Sequence, residues 1–221
     1  MKNLLYKEFK LAFHPILYVI IGIIAIYSLL GILPGGYAFI MTLAGYSILF
    51  LGANKGQQSN DLYFTTLLPV RKKDIVKARI IVVMIFAVGT LAISLLSAVV
   101  QNVLGFKSIF IEEGELAETL GTFFVSSSFA IIGMGFADLI YLPLYYRNGK
   151  SIILPTFLSV LFLTIFLSIF TTVLPIMGAF DALYDSIGAQ FALFGGALAV
   201  YFGLHYLTYR VSSKLLEKVD F

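Results

Sequence analysis

Residues 61–104 read DLYFTTLLPVRKKDIVKARIIVVMIFAVGTLAISLLSAVVQNVL, a basic segment followed by a long apolar run. The run from Ile80 to Leu104 carries no charged residue, and it exceeds the roughly 20 residues that a helix needs to cross a hydrocarbon core of about 30 Å. Lys and Arg accumulate at the cytosolic ends of membrane helices. The stretch therefore predicts a transmembrane helix with its basic end in the cytosol.

The composition of the whole chain indicates the same environment. Of the 221 residues, 60% are hydrophobic and 12% are charged, whereas soluble domains have about 45–50% apolar and about 25% charged residues. The fold class predicted is an all-α integral membrane protein. The net charge of +3 comes from basic residues beside apolar runs, a pattern typical of contact with anionic lipid headgroups. Membrane lipids, and not nucleic acid, are the partners this indicates.

Six apolar segments are long enough, or nearly so, to span the bilayer. They are predicted at about residues 16–33, 37–53, 80–104, 120–145, 152–174 and 189–209. The second segment is short and follows the turn Pro34-Gly35-Gly36, which predicts a tight hairpin at one membrane surface. The chain is thus predicted to form one transmembrane domain, residues 1–221.

Charge then assigns a side to each connection. Fourteen of the fifteen Lys and Arg lie in residues 1–15, 54–79, 146–151 and 210–221, and only Lys107 lies elsewhere. This separation predicts that both termini are cytosolic, with a cytosolic loop at 54–79 and a cytosolic tail at 210–221. The outer loops are predicted at 105–119 and 175–188. A missed or invented span would mix the charges of the two sides.

The N-terminal residues 1–15 are amphipathic. Leu4, Leu5 and Phe9 fall on one helical face, while the lysines lie mostly elsewhere. This pattern is typical of a helix lying in the headgroup plane. Residues 1–15 are therefore predicted to form an interfacial helix before the first span.

The sequence does not contain an enzyme motif with the required residue spacing. Gly149-Lys150-Ser151 is similar to the end of a phosphate-binding loop, but the glycine required five residues before Gly149 is replaced by Leu144. Cysteine is absent, which excludes disulfides, thiolate metal sites and cysteine nucleophiles. We expect no catalytic residue, no metal site and no cofactor in this chain.

Asp138 is the ionisable residue that stands out within the predicted spans. It precedes Arg147 by nine residues, about 13 Å along a helix, so it lies in the cytosolic half of the fourth span. A carboxylate at mid-membrane costs about 2.5–3.5 kcal/mol on insertion scales. Two interpretations stay open: a polar element of a substrate pathway or gate, and a structural acceptor for a Ser, Thr or Tyr of a neighbouring helix.

The fifth and sixth spans carry two further patterns. Phe162, Phe166 and Phe170 recur at a spacing of four and are either lipid-facing rings or the lining of a pathway for an apolar substrate. The sixth span has small residues at the same spacing, which permit close approach of helices. For these stripes we expect packing within the chain ahead of packing between subunits. The small residues are Gly188, Ala192 and Gly196 in one stripe, and Gly195, Ala199 and Gly203 in the other.

The basic loop contains more than the charges that topology requires. Leu62, Tyr63 and Leu67 form part of an apolar patch, Pro69 interrupts it, and the basic run from Arg71 begins a second helix. A loop that only fixed orientation would not need the apolar residues. They predict a short helix that presents apolar side chains to a cytosolic partner.

At these residues the chain resembles the membrane subunit of an ABC transporter of the type 2 exporter class. The order of an acidic residue, an aromatic residue, Leu68-Pro69-Val70 and then basic residues is similar to the loop between the second and third spans of that family. In that family the loop is a coupling helix docked on the ATPase subunit. The resemblance assigns ATPase coupling to residues 61–75, here named the coupling segment. Its predicted contact residues are Asp61, Leu62, Tyr63, Leu67, Leu68, Pro69, Val70, Arg71, Lys72, Lys73, Asp74 and Ile75.

The resemblance implies the rest of the assembly. Two permease subunits, identical or different, would join two copies of a cytosolic ABC ATPase, which binds the ATP and Mg²⁺. Among such permeases the chain is similar to compact ones of Gram-positive plasma membranes, including those of the phenol-soluble modulin exporter. The expected cargo is amphipathic or hydrophobic: a peptide toxin, an antimicrobial peptide or a lipid-like compound. The alternative from the residues alone is an ion- or proton-coupled secondary transporter, with Asp138 as its candidate carboxylate.

Overall fold

Helices make up the regular structure that can be described. The computed structural model describes residues 2–12, 22–23, 26, 65–67, 69–104, 120–148, 152–174, 177–178, 183 and 186–218. Its main elements are α1 (Lys2–Ala12), α2 (Lys72–Leu104), α3 (Leu120–Asn148), α4 (Ile153–Ser168) and α5 (Ile187–Lys218). The predicted all-α class is confirmed for these residues.

Among the described residues, three helices have the length and composition to cross a membrane: Lys72–Val100, Phe123–Arg147 and Ile187–Lys218. The apolar helix α4 is shorter, with 16 residues, or about 24 Å, and the π-helical turn Ile169–Val173 continues it. These elements correspond to the predicted third to sixth spans. The first and second spans (about 16–33 and 37–53) fall almost wholly outside the described residues, as do 105–119 and much of 175–188, so the count of six stays a prediction.

Two helices extend beyond their predicted spans. α2 begins at Lys72 and not at Ile80, so the end of the coupling segment and the third span form one rod. α5 continues without a break to Lys218, through most of the predicted tail. Both extensions lie at basic ends, where water can solvate the charges of a helix that protrudes from the bilayer.

α3 and α4 are antiparallel. The Phe129 and Phe170 rings stack with centroids 4.9 Å apart, and a Cβ added at Gly133 would lie 2.9 Å from Phe166 Cδ1. As the residue number rises in α3, the contacting number falls in α4. This is the geometry expected when consecutive spans are joined by a short connection.

α3 and α5 run in the same direction. The ring centroids of Phe124 and Phe191 are 4.5 Å apart. Further along both helices, Asp138 lies beside His205. α2 opposes both, since Lys73 contacts Glu217 near the end of α5. The four helices therefore alternate in direction along the chain, as the predicted topology requires.

α3 is the central helix. In its apolar window 72% of the residues are buried inside the protein, against 33% for α2 and 22% for α5. Its buried side chains include Phe123, Met134 and Tyr141. α2 and α5 have the wider exposed faces that lipid can cover.

The close helix approaches occur at glycines of α3 and not at the predicted stripes of α5. A Cβ at Gly135 would lie 2.8 Å from Leu204 Cδ1. Among the described residues nothing lies within 4 Å of a Cβ added at Gly195, Gly196 or Gly203. Within the described residues α5 turns its opposite face, including Tyr201, toward α3. The expectation that the stripes pack within the chain therefore stays a prediction.

Candidate functional site

The coupling segment lies at the basic end of the bundle. The structure describes Leu67, Pro69 and Val70, followed by residues 71–75. The predicted contact residues Asp61, Leu62, Tyr63 and Leu68 lie outside the described residues. Every Lys and Arg that the structure describes belongs to this end of the helices or to α1 beside it.

Outward and inward side chains alternate along the segment. Leu67 is 64% exposed, and Pro69, Arg71 and Lys73 also face outward. Val70 instead packs against the hydrophobic core. Ile75, predicted to contact the ATPase, is only 2% exposed and so stabilises the start of α2 from within.

The segment enters α2 through a charged N-terminus. The Asp74 backbone N–H donates to the Arg71 carbonyl oxygen at 2.8 Å, and Arg71 Nε donates to Asp74 Oδ2 at 3.1 Å. A carboxylate in the first turn is favoured by the positive end of the helix dipole. One residue before Asp74, Lys73 Nζ lies 3.1 Å from Glu217 Oε1, which joins the start of α2 to the end of α5.

α1 holds the segment from the other side. Lys7 Nζ donates a hydrogen bond to Thr65 Oγ1. Arg79 Nε donates to Glu8 Oε2 at 2.8 Å, and these side chains are only 15% and 5% exposed. The Arg79 guanidinium also lies 4.9 Å from the centroid of the Tyr145 ring, a cation–π distance. One arginine therefore connects α1, α2 and α3.

The Glu8–Arg79 pair is not predicted by the sequence pattern. For residues 1–15 that pattern predicts an interfacial helix with Leu4, Leu5 and Phe9 on the lipid-facing side. In the structure Leu4 and Glu8, one turn apart, are both buried. A signal was present, since Glu8 is the single acid among residues 1–15, but periodicity does not say which basic residue faces it.

Asp138 has a histidine partner. Asp138 Oδ2 lies 3.2 Å from His205 Nε2, with side chains 1% and 2% exposed. His205 Nδ1 lies 3.0 Å from the Tyr201 carbonyl oxygen, which accepts if that nitrogen carries the proton. Among the described residues, no third His, Asp or Glu joins the pair as a possible metal ligand.

This partner differs from the Ser, Thr or Tyr that the structural interpretation named. Asp138 precedes Arg147 by nine residues, and His205 precedes Arg210 by five. α3 and α5 run in the same direction, so the two residues lie at a similar distance from the basic end of the bundle. The similar positions of Asp138 and His205 along their spans could have suggested the pair. Position along a span could not show that these faces of α3 and α5 lie against each other.

The phenylalanine stripe of α4 packs along α3. The centroid distance is 5.8 Å between Phe162 and Phe166 and 4.5 Å between Phe166 and Phe170. Phe136 of α3 lies 6.0 Å from Phe162. The stripe therefore has a structural role in joining two helices, and its part in a substrate pathway stays a prediction.

Comparison with known proteins gives one match. The family model described as ABC-2 family transporter protein matches residues 3–217. The chain belongs to this family. No curated protein and no solved structure matches it.

The family identifies the chain as a multi-pass membrane permease subunit of an ABC transporter, a subunit that works with an ABC ATPase. The predicted permease identity is confirmed at this level. Hydrolysis of ATP is not in general an activity of this subunit. In the permease, the coupling segment, α1, the start of α2 and the end of α5 form one connected polar assembly beside the central helix α3.

Proposed function

We propose that this permease is the membrane subunit of an ATP-driven exporter and that the coupling segment is where the ATPase docks. The observation that carries the proposal is the contrast between the two sides of the segment. Leu67 is 64% exposed and the Arg71 side chain 86% exposed, while Val70 and Ile75 are packed into the core. The exposed side offers apolar and basic contacts to a soluble partner.

The inner side supports the transmission of force. α2 is one helix from Lys72 to Leu104, so a displacement of its exposed start is carried directly into the membrane. Lys7–Thr65 and Glu8–Arg79 link the same region to α1. A loop that fixed only orientation would need none of these contacts. Closure of an ATPase dimer on the segment would move α1 and α2 together.

For the assembly we propose six spans with both termini in the cytosol, and two permeases, identical or different, with two ATPases. The described basic residues at one end of the bundle support this orientation, because positive loops stay in the cytosol. ATP and Mg²⁺ would bind to the ATPase subunits. The resemblance to compact Gram-positive permeases, including those of the phenol-soluble modulin exporter, supports a bacterial plasma membrane.

The proposed cargo is an amphipathic or hydrophobic molecule, such as a peptide toxin, an antimicrobial peptide or a lipid-like compound. Its support is the scarcity of charge in the described spans. Asp138 is engaged with His205, and α4 contains no charged residue. A cargo with a large apolar surface could move along such helices without leaving its charges unpaired in lipid.

One observation favours a second candidate, a proton-coupled secondary transporter. The buried Asp138–His205 pair is a carboxylate and an imidazole in contact, the kind of groups that relay protons in transporters. The two functions differ in energy source. Transport by an ATP-driven exporter would stop when the ATPase is absent and continue when the proton gradient is collapsed. Transport by a proton-coupled carrier would continue without the ATPase and stop when the gradient is collapsed.

The docking assignment is tested with Leu67→Asp and Arg71→Glu in the permease co-expressed with its ATPase. We expect loss of ATPase co-purification and of cargo-stimulated ATP hydrolysis, while the amount of permease in the membrane is unchanged. Lys214→Glu, an exposed charge reversal at the same end of the bundle, is the matched control and should retain both activities. Undiminished ATPase binding by the Leu67 and Arg71 variants would exclude this docking surface.

A further inference from the structure

A groove lies between α2 and α5 on the outer surface of the described bundle. Its volume is about 340 Å³, and its wall is largely apolar, with Ile81, Met84 and Phe202 among the lining residues. Lys77 and Tyr206 also line it. The groove is open at the surface, so a ligand could enter sideways from the bilayer.

Polarity changes along the groove. The Lys73–Glu217 ion pair marks its basic end, and both helices run from there into the apolar part of the bundle. Lys77 precedes Met84 by seven residues, about 10 Å along the helix. The groove therefore has a cation at the headgroup end and an apolar floor at the acyl-chain end, the same order of polarity as in a phospholipid.

Two cations at the mouth have no counter-ion among the residues that the structure describes. Lys77 and Arg210 are exposed, and neither forms an ion pair with any described residue, whereas Lys73 and Arg79 are paired. The Arg210 guanidinium lies 5.5 Å from the centroid of the Tyr206 ring, which lines the groove. This cation–π contact holds the charge over the groove. The mouth is thus complementary to an anionic headgroup.

The floor of the groove does not offer a polar site. His205 contributes to the lining, but its side chain is only 2% exposed and is directed to Asp138. A small soluble anion would leave the apolar floor unused. A soluble protein could not reach a surface that lies at the depth of the acyl chains.

We propose that this groove binds one anionic phospholipid from the leaflet at the basic end of the bundle. The phosphate lies between Lys77 and Arg210, and one acyl chain lies along Ile81, Met84 and Phe202. The lipid is a resident ligand that fills the gap between α2 and α5. This site is distinct from the proposed ATPase contact and from export itself.

The headgroup contact is tested with full-length permease reconstituted in phosphatidylcholine vesicles that contain phosphatidylglycerol. After mild extraction, the lipid that stays bound is counted by native mass spectrometry. We expect wild-type protein to retain phosphatidylglycerol over phosphatidylcholine. The Lys77→Gln/Arg210→Gln variant should lose about fivefold in retention for each charge removed.

The matched control is Lys214→Gln/Lys218→Gln. It removes the same charge from exposed positions at the same end of α5, outside the groove, and should retain phosphatidylglycerol as the wild type does. An equal loss in both double variants would mean diffuse attraction to the membrane and would overturn the proposal.

The acyl contact is tested with Met84→Trp, which fills the groove and leaves both cations in place. We expect loss of the retained phosphatidylglycerol without loss of folded protein. Unchanged retention in this variant, or full displacement of the lipid by millimolar inorganic phosphate, would show a site for an anion alone. A third outcome is that wild-type protein retains no phosphatidylglycerol and that a second copy of the chain can be cross-linked across the groove. The groove would then belong to the subunit interface, and the proposal would be overturned.

Discussion

Glu8–Arg79 and Asp138–His205 are nearly buried pairs of ionisable side chains, and each joins two helices. Burying a charge is costly unless a partner compensates for it, and removal of one partner leaves the other uncompensated. Replacement of both partners by apolar residues avoids that cost. The pairs therefore specify which helix faces meet more than they add net stability.

We predict that His205→Leu destabilises the protein by about 3–5 kcal/mol, because Asp138 is left buried without a partner. The Asp138→Leu/His205→Leu variant should recover most of that loss. The measurement is the thermal denaturation midpoint of detergent-solubilised protein, followed by the loss of the monodisperse peak.

The exposed Tyr206→Leu substitution, next to His205, is the control and should change the midpoint little. A double variant as unstable as His205→Leu alone would show that the pair stabilises the bundle through more than mutual charge compensation.

α3 contacts α2, α4 and α5 and carries the closest approaches at glycines. Gly133 faces Phe166 of α4, and Gly135 faces Leu204 of α5. These two glycines lie on the fourth span, whereas the small-residue stripes predicted to pack lie on the sixth. Small residues at these positions allow α4 and α5 to pack closely on α3.

We predict that Gly135→Ala destabilises the protein by about 1–3 kcal/mol, because the added Cβ would lie 2.8 Å from Leu204 Cδ1 and 3.3 Å from Leu204 Cβ. Gly203→Ala places the same methyl group in open space on α5. It should leave stability unchanged or raise it by up to about 1 kcal/mol, since Ala is favoured over Gly in a helix.

The measurement is the thermal denaturation midpoint of each variant in the same detergent, compared with that of the wild type. Equal destabilisation would place another surface, such as that of a second subunit, against Gly203. Equal tolerance would mean that Leu204 moves aside without cost.

The sequence predicted which segments are helices better than it predicted which helices contact each other. The run from Ile80 to Leu104 alone predicted α2, because an apolar segment in lipid must satisfy its backbone hydrogen bonds internally and does so as a helix. The true start at Lys72 depends on the Arg71–Asp74 contacts. The face that α5 packs on α3 carries Tyr201 and His205, and small-residue spacing alone did not indicate that face.

The molecule as a whole is polarised, with the described Lys and Arg gathered at one end. The sequence contains no cysteine, so single cysteines can report on each end without background. We predict that Ser186→Cys, at the start of α5, reacts with a membrane-impermeant maleimide in intact cells. Arg147→Cys and Lys214→Cys should react only after the cells are permeabilised.

The expectation rests on the positive-inside rule together with the alternating helix directions. The permeabilised sample controls for intrinsic reactivity at each position. Labelling of Ser186→Cys and Lys214→Cys from the same side would contradict the crossing of the membrane by α5.

Apolar runs determine the membrane location and the helical class, while charge distribution and motif order predict the cytosolic side of the basic end and the coupling segment. These are properties of the chain read along its length, and the bilayer acts on each segment separately. The Asp138–His205 and Glu8–Arg79 pairs, the central position of α3 and the groove between α2 and α5 required the tertiary structure. Periodicity gives the face of a helix on which a residue lies, but which face of which helix lies opposite is decided by side-chain shape and charge across the interface.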